Sequence, residues 1–306
     1  MHTHRVVVGL LAGGLLLGAV GCGASEGGVR TGGEGSSTTA GPSTTKPPLV
    51  PSTPTTEPDD GPLVLPADQV VWQERSGGGF VPYGAVAAEV PQVTIYGDGR
   101  VFVASPGDGY VFGQPIPLRT GRVAPAALEA FVREVQGSGL FTEAGTDFGT
   151  PNVTDGPTTS ATFQGSAAAP LTASAYFLGG DFTDGLSKAQ LGRRQAFERL
   201  VSEASHLAGD LAAWTPDHVR VVDLTTEGQV PDGAPAAWPG PALDSFLETS
   251  GEPGATRACG ELTGDAAARA YAAALANGST TWTADGQVRN LVVAALVPGE
   301  EACPDR

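Results

Sequence analysis

At residue 63 the chain changes character, and that step limits what can fold. Residues 23–62 hold 8 Gly, 7 Pro, 5 Ser and 8 Thr, so 28 of 40 positions carry these four types and none is aromatic. Such a stretch buries too little apolar surface to offset the entropy lost on ordering, and it is expected to be disordered. As a flexible coil it spans roughly 35 Å root-mean-square, the behaviour of a tether. Its Thr/Pro-rich half, Ser43 to Pro58, has the composition of O-glycosylated stalks. Two catalytic patterns fall inside it, Gly23-Ala24-Ser25-Glu26-Gly27 (G-x-S-x-G) and Ser43-Thr44-Thr45-Lys46 (S-x-x-K). Both chemistries need a rigid turn or helix that a coil does not supply, so neither is taken as a site.

The N-terminus is different again. Met1 to Arg5 is a short charged segment, and Val6 to Val20 is an apolar run of 15 residues, too short and too glycine-rich for a span of about 20. This is the build of a secretory signal peptide. Ala19-Val20-Gly21-Cys22 resembles the lipobox of bacterial lipoproteins. That resemblance implies a diacylglyceryl group on Cys22, cleavage before it, and acylation of the new N-terminus. Two or more acyl chains give stable anchoring where one is marginal. The expectation is a signal peptide over 1–21, then Cys22 and the tether over 22–62. The membrane is thus a partner through Cys22, and the chain is placed on the extracytoplasmic face of a bacterial cell membrane.

Apolar periodicity begins at Leu63. Gln69 to Arg75 alternates as a strand, and Val93 to Tyr96 with Arg100 to Ala104 reads as a hairpin around Gly97-Asp98-Gly99. Leu128, Phe131, Val132 and Val135 form one helical face over Ala124 to Gln136, with Pro125 near its start and Gly137 past its end. A second unit follows: strands over Thr158 to Phe163 and Leu171 to Phe177, then a helix over Leu186 to Leu207 with Phe197, Leu200, Val201 and Ala204 as its stripe. His218 to Leu224 is one more alternating strand. The third unit is reversed. An alanine-rich helix over Asp265 to Ala276 is closed by Asn277-Gly278, and a hairpin joins Thr280–Trp282 to Val288–Val297. Hairpin faces of this kind are covered by helices, which makes the class α+β with antiparallel sheet. The Pro/Gly/Ala-rich stretch 225–241 separates a first lobe, 63–224, from a smaller C-terminal lobe, 242–306. With Cys22 lipidated, Cys259 and Cys303 remain as a pair in an oxidising compartment, and a disulfide is expected. In the chain-entropy model, closing that loop contributes about 4 kcal/mol. Free thiols with a redox role fit poorly, because no C-x-x-C spacing exists.

Charge removes one class of function. The chain carries 33 Asp+Glu against 17 Lys+Arg, the wrong balance for nucleic acid. After the signal peptide only His206 and His218 remain, at a spacing that fits no zinc motif. Asp147, Asp155, Asp181 and Asp184 lie in turn-like sequence. Asp181-Phe182-Thr183-Asp184-Gly185 lacks the spacing and the distal Glu of a calcium loop, so solvated turns are expected. Gly107-Asp108-Gly109-Tyr110-Val111-Phe112-Gly113 misses G-x-G-x-x-G by one residue and sits in no βαβ pattern. No cofactor and no metal are indicated, no serine sits on a nucleophile turn, and the expectation is that the protein is not an enzyme.

One segment stands apart: Gly77, Gly78 and Gly79 end a strand and run into Phe80-Val81-Pro82-Tyr83. Consecutive glycines permit positive φ and close backbone approach, so Gly77 to Phe80 and Tyr83 are the candidate binding residues, with Phe80 and Tyr83 expected to be exposed. A bulge or turn needed only for folding explains the glycines equally well. The order QVVWQERSGGGF, a hairpin, the helix AALEAFVREVQGSGLF, then Asp155-Gly-Pro-Thr-Thr-Ser-Ala-Thr-Phe and a final helix resembles emfourin, a family of small bacterial inhibitors of thermolysin-like metalloproteases. The likeness covers Gln69 to Leu207. The segment between Val81 and Thr94 and the C-terminal lobe have no counterpart in it. The whole layout, lipobox and Thr/Pro tether included, also resembles actinobacterial-type lipoproteins, which implies no particular activity. The sequence therefore points to an envelope lipoprotein with a non-catalytic binding or structural role and an envelope protein as partner. An emfourin-like protease inhibitor is the first alternative. A hydrolase is the second, and a deep pocket holding a Ser or a carboxylate pair beside His206 or His218 is the feature that would favour it.

Overall fold

Val70–Gly77 (β1) is hydrogen-bonded along both edges, to Val93–Tyr96 (β2) and to Thr158–Phe163 (β5), and so lies inside a sheet. Arg100–Ala104 (β3), Leu118–Arg122 (β4), Leu171–Tyr176 (β6) and the two-residue Ala212–Ala213 (β7) complete it in the order β6-β5-β1-β2-β3-β4-β7, every pair antiparallel. These strands come from a computed structural model that describes residues 63–108, 110–225, 234–250 and 257–303. The signal peptide, Cys22 and the tether, and residues 226–233 of the expected linker, lie outside the described residues. The β2–β3 turn is where expected. Gly99 there has φ +83°, and a Cβ on it would stand 2.6 Å from the Val123 carbonyl oxygen, so this turn requires glycine.

Two helices cover one face of this sheet. Pro125–Gly137 (α2) buries Leu128, Phe131, Val132 and Val135, the expected stripe. Gly137 is its last residue and not the residue beyond it; Gly139, at φ +66°, makes the left-handed turn instead. Lys188–His206 (α3) starts two residues later than its apolar pattern suggests, because Ser187 and Gln190 form a reciprocal capping box. Its buried side chains are Arg194, Phe197, Leu200 and Ala204, with Val201 only half-buried. Trp72 meets Phe131 edge-on at 5.3 Å in the core between helices and sheet. Such a pair adds about 1 kcal/mol beyond its area.

A second sheet has the order Glu248–Ser250 (β10), Arg257–Thr263 (β11), His218–Asp223 (β8), Gln287–Ala295 (β13), Thr281–Ala284 (β12) and Ala236–Ala237 (β9). Only the β12–β9 pair in it is parallel. Strand β8, grouped with the first lobe by its position in the sequence, is bonded on both sides within this second sheet, to β11 and β13. Its partners lie 34 or more residues away in the chain, and no alternation within one strand reveals them. Five of its six residues are buried, as are the last six of β13, the pattern of strands covered on both faces. Gly264–Asn277 (α4) packs Ala267, Ala270, Tyr271 and Ala274 inward and ends at Gly278 with φ +65°, as Asn277-Gly278 led us to expect. Tyr96, Phe102 and Leu118 of the first sheet join this core. Arg75 and Glu300 pair at 2.7 Å, and the Tyr96 hydroxyl donates to the Pro298 carbonyl at 2.7 Å, which ties the two sheets further.

The fold is thus α+β, and residues 59–306 form one compact unit. The disulfide joins Cys259 to Cys303, closing strand β11 onto the end of the chain. No helix among the described residues is long and apolar enough to cross a membrane.

Candidate functional site

Register places four connections at one end of the first sheet. β1 ends at Gly77 opposite the start of β5 at Thr158, and Thr158 in turn opposes the last residue of β6, Tyr176. On the other side β2 begins at Val93 opposite Glu74, and Ala104, the end of β3, opposes Leu118, the start of β4. Residues 78–92 and 105–117 therefore start and finish at this end, 138–157 arrives there from the far end of the sheet, where Gln136 bonds Ser166, and 177–187 departs from it.

The glycine segment is built into this end. Gly78 and Gly79 have φ +83° and +81°. A Cβ on Gly79 would lie 2.6 Å from the Asp155 carbonyl oxygen, so glycine is required there for space as well as for φ, whereas Gly78 faces open space. Gly77 is the last strand residue, its Cα turned toward the Glu89 carboxylate. The result is a backbone that delivers Phe80 into solvent, 92% exposed. Tyr83 differs from expectation. It opens a five-residue helix, Tyr83–Ala87 (α1), and is half-buried against the Val222, Leu224 and Val292 cluster of the second sheet. The turn after Pro82 swings it inward, and its apolar ring anchors α1.

The neighbouring loop is held under strain. Of the three non-glycine residues with positive φ among the described residues, Asp155 (58°) and Phe177 (50°) both sit here. A bulky residue at positive φ persists only when its surroundings enforce it. Here they do. The Phe177 amide donates to the Pro157 carbonyl at 2.7 Å, and buried Arg194 donates to the Tyr176 carbonyl at 2.8 Å and to that of Phe177. The Tyr176 hydroxyl accepts from the Gly156 amide and donates to the Val153 carbonyl. Phe177 then meets Phe182 edge-on at 5.2 Å, leaving Phe182 54% exposed. On the far side a Cβ on Gly84 would lie 3.8 Å from the Gly113 Cα, so α1 touches the 105–117 connection. That connection carries exposed Val111 and Phe112. Neither Phe112 nor Phe182 stood out in the sequence. Each lies in a Gly/Asp-rich turn set aside there as a near-miss for a nucleotide or calcium loop, and an aromatic ring isolated in such a turn was the available signal.

Beneath this end, Glu74 on β1 is buried beside Val93 and Ala161, and burial pushes its carboxyl up to about 7. Its Oε2 and the Trp72 Nε1 have no hydrogen-bond partner among the described residues.

The histidines lie elsewhere. His206 contacts the Ser202 carbonyl one helical turn back, and His218 pairs with Glu261 at 2.5 Å. Glu261 borders a recess of about 370 Å³ with Glu248 and the Cys259–Cys303 bridge. Its lining thus sets a carboxylate pair, Glu248 and Glu261, beside His218, the arrangement expected to favour a hydrolase, and includes neither a hydroxyl nor a free thiol. Among the described residues no three His, Cys, Asp or Glu side chains are grouped to hold a metal ion. No family model, no curated protein and no solved structure matches this chain.

Proposed function

We propose that this protein is a lipid-anchored envelope protein with a non-catalytic binding role, tethered through Cys22 and recognising a protein partner with the loop end of the first sheet. The anchor is supported by the 15-residue apolar run that closes on Ala19-Val20-Gly21-Cys22. One observation carries the recognition: Phe80 stands 92% exposed on a backbone whose path Gly79 and Asp155 determine. Burying such a ring contributes about 1.5–3 kcal/mol, a gain this chain leaves for a partner to supply. A tether spanning roughly 35 Å suits a domain that must reach that partner.

The test is retention of envelope proteins by the full chain and by its Phe80→Ala variant, with thermal unfolding of both. The expected result is a retained protein lost on Phe80→Ala at an unchanged unfolding midpoint. Retention indifferent to Phe80→Ala and Phe112→Ala overturns the recognition surface. Cys22→Ala tests the anchor: the wild-type chain is expected in the detergent phase of a partition and the variant outside it.

The same exposed ring also fits a second reading, in which Phe80 enters the cleft of a metalloprotease as an inhibitory loop. Slowing of a thermolysin-like protease by the full chain, relieved by Phe80→Ala, is what that reading predicts.

A further inference from the structure

The end of the first sheet carries more than one exposed ring. Phe80, Phe112 and Phe182 are 92%, 60% and 54% exposed and lie on three different connections at that end, with Val81 and Val111 beside them. Together the three residues leave roughly 400 Å² of surface in water, apolar area comparable to the largest patches on single chains, which are often functional. The connections touch one another through Gly79 against Asp155, Gly156 against Phe177, and Gly84 against Gly113, so the backbones that carry the rings form one continuous row.

Charge says what fits there. The four connections, 78–92, 105–117, 138–157 and 177–187, contain seven Asp or Glu and no Lys, Arg or His. Asp108, Asp155, Asp181 and Asp184 are exposed and form no ion pair among the described residues. With Arg193 paired to Asp147 and Lys188 at its margin, a patch whose connections carry only acidic side chains is still disfavoured at an anionic lipid surface. It is repelled equally by a second copy of a chain with net charge −16. A protein surface of opposite sign is what it complements.

Resting on the recognition surface proposed above, we infer that the loop end docks a protein whose apolar recesses, filled by Phe80, Phe112 and Phe182, are bordered by Lys or Arg side chains. The rings supply the buried centre of the interface, where a few aromatic anchors dominate. The exposed aspartates act at the rim, speeding encounter and making it sensitive to salt. Rigid glycine and left-handed positions keep the rings pre-organised, which lowers the ordering cost of binding.

The probe is a displayed random-peptide library selected on the purified full chain. The expected binders combine Lys or Arg with apolar residues and bind at least fivefold more weakly to Phe80→Ala and to Phe112→Ala. The combined Asp108→Asn, Asp155→Asn, Asp181→Asn and Asp184→Asn chain is expected to lower their association rate about tenfold at low salt and to change it little at high salt. Asparagine tolerates the φ of Asp155, so this variant keeps its fold. Binders that depend on Phe80 but carry no cationic preference overturn the partner chemistry and leave the recognition surface standing. Binders indifferent to both Phe variants, or no binders at all, overturn both. Phe-dependent adsorption to phosphatidylglycerol vesicles, or a dimer in sedimentation equilibrium that Phe80→Ala abolishes, also overturns the proposed partner.

Discussion

Trp282 in the second sheet and Phe80 at the loop end of the first are both large aromatic residues, placed in opposite surroundings. Trp282 is 1% exposed, meets Trp238 edge-on at 5.4 Å and donates its Nε1 hydrogen to the Leu291 carbonyl. Around it, strands β8 and β13 are buried on both faces and a disulfide closes β11 onto residue 303. Phe80 contacts mostly solvent, on a backbone of left-handed glycines next to two strained residues. The second sheet thus uses its aromatic residues to lower the free energy of the fold. The loop end holds Phe80, Phe112 and Phe182 away from the core, and the strain at Asp155 and Phe177 is sustained by Arg194 and the Tyr176 hydroxyl. Substitutions in the two regions should therefore separate stability from binding.

The largest effect is expected at Trp282→Ala, which leaves a cavity and an unpaired carbonyl and should cost about 4–5 kcal/mol in urea unfolding. Peptide affinity of the fraction that remains folded should not change. A joint loss of both would break the contrast. Next comes the disulfide: Cys259→Ala with Cys303→Ala frees a 44-residue separation and should cost up to about 4 kcal/mol, again without touching the loop end.

Glu74 lies beneath the loop end, three residues before Gly77 on β1. Its folded-state value of about 7 lies above the ordinary 4.5, so the native state holds this proton more tightly than the unfolded chain does. The associated stability is complete below about pH 4.5 and is lost as pH rises through about 7, an effect of about 3 kcal/mol. Glu203, raised by burial and then by Glu134, shifts stability the same way, so the comparison needs a variant. Glu74→Gln should remove most of the decline between pH 5 and pH 8. Equal slopes for variant and wild type would show that the Glu74 carboxyl is not buried as described.

Most of the local architecture was legible in the sequence. The stripe Leu128, Phe131, Val132 and Val135 has a spacing that only one helical face satisfies. The β2–β3 hairpin followed from its glycine turn, and the disulfide from having just two cysteines left to pair. What escaped was non-local or compensated. β8 needed partners from the C-terminal third of the chain. β11, the strand RACGELT, has weak strand propensity and is held by pairing on both sides. Arg194 extends the buried stripe by donating to two carbonyls at the end of β6, while Val201 packs on the core only half-buried. Of the candidate site, Gly78, Gly79 and Phe80 were legible because glycine at positive φ leaves a sequence mark. Phe112 and Phe182 were not, since an exposed ring and a core ring look alike in a sequence, and Tyr83 was misread as exposed for the same reason.

Gly79→Ala sharpens the contrast from the loop side. The added methyl meets the Asp155 carbonyl and an unfavourable φ, so about 1–2 kcal/mol of stability should be lost together with a larger share of peptide affinity. A neutral outcome would mean the loop relaxes freely and does not present Phe80 rigidly.

The smallest stability change belongs to the most decisive variant. Phe80→Ala, measured by urea unfolding and by affinity for the selected cationic–apolar peptides in the same preparation, tests the division between fold and recognition directly. Stability within about 0.5 kcal/mol of wild type is expected, with affinity reduced at least fivefold. A loss of stability matching the loss of affinity, or unchanged affinity, would contradict the account.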